Sequence, residues 1–176
     1  MKIVKMIRCA AIASAVLMSG ALLSAAEHNR GQLGHRDYRF VTEAAHGGMM
    51  EVRLGEIGKQ KATSQAVRDF AQRMITDHSK ANDELKQIIA NKGAVLPTET
   101  SHKENSEVDK LEKLSGREFD KEYMALMVKD HKKDAKEFED AVKDVTDPDL
   151  KAFAQKTLNV IQEHSRMARE IEASVK

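Results

Sequence analysis

From residue 37 onward the apolar positions recur at three- and four-residue spacing and almost never alternate, a pattern that builds amphipathic helices and not strands. The first stripe, Phe40, Ala44, Gly47, Glu51, Leu54 and Gly58, predicts a helix opened by Asp37 as N-cap and running to about Lys61. The second, Val67, Phe70, Ala71, Met74, His78, Ala81, Leu85 and Ile88, predicts a helix capped by Ser64. It closes at Asn91-Lys92-Gly93, where glycine suits the left-handed turn after a helix. A third helix is predicted from the capping-box pattern Ser115-Gly116-Arg117-Glu118, with the stripe Phe119, Tyr123, Met127, His131, Ala135, Phe138 and Val142. Asp147-Pro148 supplies an N-cap and a first-turn proline for the fourth, whose stripe is Leu150, Phe153, Thr157, Ile161, His164, Ala168 and Ile171. Such helices can bury their stripes only against one another, so the pattern predicts an all-α four-helix bundle.

Connection lengths constrain how the bundle is wired. Helices 1 and 2, like helices 3 and 4, are joined by a few residues and must be antiparallel neighbours. The segment from Gly93 to Ser115 is longer, contains Pro97, and carries the capping-box pattern Ser101-His102-Lys103-Glu104 ahead of Val108, Leu111 and Leu114. It reads as a crossover with one short helix. The second helix is about 43 Å long at 1.5 Å per residue, and a partly extended, partly helical segment can retrace that distance. Helices 2 and 3 then run parallel, as in ferritin-like bundles with a single crossover. A plain up-down bundle with a large surface loop is the alternative.

The first residues follow different rules. Lys2, Lys5 and Arg8 precede an apolar run from Cys9 to Leu23 that ends in Ser24-Ala25-Ala26, which predicts a secretory signal peptide over residues 1–26, cleaved near Ala26. Residues 27–36 read as a flexible polar segment and residues 37–176 as the bundle domain. The leader carries three basic and no acidic residues, so the mature chain holds 26 Lys+Arg against 28 Asp+Glu, a net charge of about −2. That balance offers no footprint for nucleic acid. No later segment is apolar enough to span a bilayer. The expected location is the periplasm, or another exported compartment. The only cysteine, Cys9, goes with the leader, so the mature fold must rest on packing, a metal, or both.

Each stripe carries one residue foreign to an apolar core: Glu51, His78, His131 and His164. His78 lies 14 residues after Ser64 and His131 lies 16 after Ser115, so parallel helices set them at nearly one height. His164 and Glu51 match the same level across their antiparallel hairpins to within about a turn. Three imidazoles and a carboxylate suit a divalent transition metal, with zinc, iron, manganese and copper all chemically acceptable. A buried Glu also needs something positive beside it. The same four residues fit a second reading equally: a Glu–His hydrogen-bond network without metal. Asp77, Asp130 and Glu163 each precede a stripe histidine and point about 100° away around the helix, which makes them solvated flanks or supports for the histidines. Glu43-Ala44-Ala45-His46 has the Glu-x-x-His spacing of di-iron bundles, yet His46 lies about 140° from Glu51 around the helix and reads as a surface residue.

Several of these residues together resemble a known family. Phe40-Val41-x-Glu43-Ala44-Ala45-x-Gly47-Gly48-x-x-Glu51-Val52, Phe70-Ala71-Gln72-Arg73-Met74-Ile75-x-Asp77-His78, Phe119-Asp120-x-x-Tyr123 leading to His131, and the late Glu163-His164 resemble the bacterial domain-of-unknown-function family 4142 over roughly Phe40 to Ile171. The resemblance implies an exported ferritin-like bundle and no particular reaction. The paired Glu-x-x-His motifs of di-iron oxidases are absent, as are the alternating strands of an outer-membrane barrel. With no nucleophile–base pair, phosphate loop or cofactor fingerprint, a non-enzymatic role is the default. Three classes remain: a metal-binding envelope protein, a structural or partner-binding bundle, and a redox enzyme with an open metal position.

Overall fold

The computed structural model describes residues 30–100 and 102–175; the expected leader, its cleavage point and Ser101 of the crossover lie outside the described residues. The described chain forms helices α1 (His35–Lys61), α2 (Gln65–Ala90), α3 (His102–Glu112), α4 (Gly116–Asp144) and α5 (Pro148–Val175), with no strand among them. The four long helices are those the stripes predict, and α3 is the short helix of the crossover.

Helix ends match the predicted signals only in part. Gly93 adopts the expected left-handed conformation (φ 64°) after α2. Asp147 caps α5, its Oδ1 accepting from the backbone N–H of Asp149 and Leu150 at 3.1 Å each. Ser64 and Ser115 stand at the predicted N-cap positions of α2 and α4 but make no side-chain capping bond. Asp37 does not cap α1 either: the helix starts two residues earlier, after Gly34, and Asp37 is buried inside its first turn. Order also begins before Asp37, because Leu33 is buried and the Gln32 N–H donates to the Lys92 carbonyl at 3.1 Å.

Asp37 belongs to a reciprocal pair of contacts that sets the topology. Its carboxylate accepts from Thr146 N–H (3.0 Å), Thr146 Oγ1 (2.8 Å) and Asp147 N–H (3.0 Å), the turn between α4 and α5. Asp120, in the first turns of α4, does the same for the turn between α1 and α2, accepting from Thr63 N–H (3.0 Å), Thr63 Oγ1 and Ser64 N–H (2.8 Å). The start of α1 therefore lies at the end of α4, and the start of α4 at the end of α1. Lys92, just past α2, pairs with Asp147 (2.7 Å) and Asp149 (2.8 Å) at the start of α5. These contacts make α1 antiparallel to α4 and α2 antiparallel to α5, so α2 and α4 run parallel. The single-crossover, ferritin-like arrangement holds and the up-down alternative does not. Lys61 holds the crossover down by donating to the carbonyls of Glu112 and Leu114 at the end of α3.

The apolar interior falls into two clusters. One packs Phe40, Phe138 and Phe153 with Leu85, Leu150 and Ile161; the other packs Phe70, Phe119 and Tyr123 with Leu54, Met74, Met124 and Met127. In the second, Gly58 is glycine for a steric reason: a Cβ there would lie 2.8 Å from the Tyr123 ring and 2.9 Å from the Ala71 methyl. The four polar stripe residues lie along the helices between these clusters.

Candidate metal centre

Burial is the first property of the site. His131 and His164 have no exposed surface, Glu51 keeps 2 % and His78 7 %. The parallel course of α2 and α4 brings His78 against His131, with ring centroids 5.8 Å apart. The hairpin partner α5 adds His164 at 5.3 Å from His78 and 5.4 Å from His131. Phe70 closes one side with its ring 6.1 Å from His131 and 6.5 Å from His164. Each histidine offers a ring nitrogen within 4.8 Å of the nitrogens of the other two, and these three residues could hold a metal ion.

Hydrogen bonds fix which nitrogens are free. A carbonyl can only accept, so the 3.0 Å contact between His131 Nδ1 and the Met127 carbonyl places the proton on Nδ1. His164 Nε2 lies 2.8 Å from Asp77 Oδ2 and donates to it. Burial raises the Asp77 carboxyl, but hydrogen bonds from His164 and Arg73 outweigh that effect and hold it below its ordinary range, so it is an acceptor. The buried nitrogens left without a partner are His131 Nε2, His164 Nδ1 and His78 Nε2. For the first two, the outer bond makes the inner nitrogen a lone pair, as supporting groups do at metal-bound histidines.

Burial also keeps the imidazoles neutral. It pushes His78 well below its ordinary value, reinforced by repulsion from His131 and His164, and pushes His131 down to about 4, again with His164 adding to the effect. His164 is lowered as well, since burial outweighs the opposing pull of Asp77. Glu51 is driven the other way. Burial and the neighbouring Asp134 and Asp130 raise its carboxyl well above the usual range, with Lys133 opposing.

Glu51 shares the layer but not the central position. Its Oε1 lies 3.6 Å from His131 Nδ1, the nitrogen already committed to Met127, and its Oε2 is buried without a partner. His46 is half-buried and outside the histidine cluster. Sequence reasoning left the roles of two nearby carboxylates open or unread. Asp77, which reads as either a flank or a support for a histidine, reaches across the hairpins to orient His164. Asp134, one turn beyond His131, is driven up to about 7 by burial that Lys133 only partly offsets. The only sequence signal for Asp77 and Asp134 was their nearness to a stripe histidine.

Fold and site together define an all-helical, ferritin-like bundle with a buried trio of histidines at mid-height. The chain belongs to DUF4142, a domain-of-unknown-function family that matches residues 22–171. Among the solved structures that share its fold are two DUF305 proteins. One is a DUF305 fragment from Deinococcus radiodurans, with a TM-score of 0.72 and 12 % identity over 80 % of this chain and 97 % of that one. The other is a candidate secreted DUF305 protein from Streptomyces coelicolor, with a TM-score of 0.68 and 16 % identity over 79 % and 93 % of the two chains. At such identities the likeness is one of fold. No curated protein matches the chain.

Proposed function

We propose that this is an exported, periplasmic metal-binding bundle that holds one divalent transition metal on His78, His131 and His164, with Glu51 beside His131 supplying negative charge. The observation that carries the reading is a trio of buried histidines that each offer a ring nitrogen within 4.8 Å of the others, together with one buried, unpartnered ring nitrogen on each of them. A hydrogen-bond network needs a donor for every acceptor, and two of these nitrogens are lone pairs because their rings donate elsewhere. Facing lone pairs in a dry core repel. A cation turns the same arrangement favourable. Tetrahedral ligation needs nitrogens about 3.3 Å apart, which side-chain rotation within the layer can supply. Zinc, iron(II), manganese and copper all accept such a set, and three protein ligands leave a coordination position open.

Export is supported by the leader pattern and by the name of the Streptomyces neighbour; among the described residues no helix is long and apolar enough to cross a membrane. The role that follows is metal binding or buffering in the envelope. The test is elemental analysis of protein purified from its native compartment without a metal-affinity tag. Near-stoichiometric metal is expected, with a melting temperature that falls by about 10 °C on chelation, the size expected for a ligand present at about a thousand times its Kd. Metal-free protein whose melting is indifferent to added zinc, copper, iron(II) and manganese would leave a structural bundle with a polar layer.

A further inference from the structure

A buried site needs a way in, and the three histidines differ in their reach to the surface. His78 alone retains some exposure, and it forms the inner wall of a cavity of about 30 Å³ between α1, α2, α4 and α5. That volume holds a water or two, or a small ion, and excludes an organic ligand. Three carboxylates line it: Glu43 from α1, and Asp134 and Glu137 from α4. One cation serves them, the largely exposed Lys133, whose Nζ lies 3.5 Å from Asp134 and 3.6 Å from Glu137. Among the described residues no ion pair engages Glu43, whose charge instead bears on Glu137. His78 joins the two, since it lines this cavity as well as belonging to the histidine cluster, and its Nε2 is buried and unpartnered.

We propose that this cavity is an outer cation site. Glu43, Asp134 and Glu137 take a divalent metal ion from solvent, displacing the Lys133 ammonium, and pass it by way of His78 to the three imidazoles. This rests on the metal reading of the trio and adds the path to it. Oxygen ligands suit a cation that still carries water, and imidazoles suit the same ion once stripped. The groove on the other side of His78, between α2 and α5, is less fit for the task. Its Glu84 is paired with Lys156 at 2.6 Å, and its Asp77 is held by Arg73 and His164.

Stopped-flow mixing of the metal-free purified protein with Co2+, followed by the visible absorption that cobalt acquires on imidazole ligation, separates the path from the destination. In the Glu43→Gln/Glu137→Gln double variant, loading by Co2+ and its release to a chelator are both expected to slow about tenfold, the lower range for charge-assisted entry, with Kd changed less than threefold. Lys133→Met is expected to load faster. Gly47 lines the same cavity and a Cβ there meets nothing within 4 Å, so Gly47→Leu is expected to obstruct the mouth and slow both rates without disturbing the fold. Glu84→Gln is expected to change neither. Unchanged rates in the double variant, or slowing by Glu84→Gln instead, overturn the outer site while the inner one stands. If the wild type gives no cobalt spectrum at all, both readings fall.

Discussion

Replacing His131 with leucine is expected to abolish metal uptake while leaving the metal-free protein about as stable as the metal-free wild type. The two alternative readings of the histidine layer diverge most sharply at this position. In the folded chain His131 is fully buried with Nε2 unpartnered, and an apolar side chain of similar bulk removes that unsatisfied atom. Leucine loses the Nδ1–H bond to the Met127 carbonyl, worth about 1 kcal/mol, and removes an unsatisfied buried atom that costs about as much, so the metal-free variant is expected within about 1 kcal/mol of wild type. Were the layer a working hydrogen-bond network, the same change would cost about 1–3 kcal/mol. Affinity should fall well beyond the roughly 10–100-fold expected for Asp77→Asn, which touches only the support of His164. His46→Ala should do neither. Calorimetric melting with and without metal reads both quantities, and a destabilised metal-free His131→Leu protein would falsify the proposal that the imidazoles await a cation.

Acidity enters with a definite sign. An unfolded chain protonates its histidines near pH 6.5, whereas the folded chain delays protonation of His131 to about 4. Between those values the unfolded state binds more protons, so this residue's share of stability is present above pH 6.5 and is lost as pH falls toward 4. Glu51 contributes with the opposite sign: its raised carboxyl keeps a proton that the unfolded chain releases, so its share is lost as pH rises above the ordinary carboxyl range. A cation held by the imidazoles would relieve both groups, by occupying the lone pairs and by favouring the charged form of Glu51 beside them.

The second large effect lies far from the histidines. Asp120→Ala and Asp37→Ala are each expected to lower stability by about 2 kcal/mol, because each leaves two backbone N–H groups and a threonine hydroxyl of a part-buried turn without their charged acceptor. Denaturant titration at fixed metal content measures the loss. Asparagine in either place keeps the shape but turns an NH2 group on donors and is expected to recover less than half. The two sites touch different turns and share no partner, so the double variant should show the sum. A loss below about 1 kcal/mol at both would mean that the turns are held by packing alone.

What the sequence revealed and what it hid follow from the range of the interactions involved. Helical periodicity is local, so the stripes located the four long helices, and one polar interruption per stripe was enough to pick out Glu51, His78, His131 and His164. The crossover was legible because helix rise and loop length are simple measures. Capping was misread at Asp37 because a short acidic residue near a helix start serves equally as N-cap, as partner of the helix dipole, or as anchor for a distant turn. Only contact with Thr146, 109 residues away, distinguishes these roles. Asp77 stayed undecided between flank and support for a related reason: helical angle tells which way a residue leaves its own helix, not whether a neighbouring helix presents a histidine there. The offset of Glu51 to the outer side of His131 depends on rotamers, which spacing along the chain does not encode.

The paired aspartates also bear on whether the two helical hairpins need to be one molecule. Each hairpin has its bend fastened inside the other, by Asp37 in one direction and Asp120 in the other, so the covalent link between them is not what keeps them together. A polypeptide cut between Pro97 and Thr100, with α3 left on the second piece, should reassemble from its two fragments when they are co-expressed. The histidines are divided between them, His78 on the first and His131 and His164 on the second, so only the reunited halves should hold metal. The ion would then report fragment complementation, and pieces that stay apart would assign the holding role to the intact crossover.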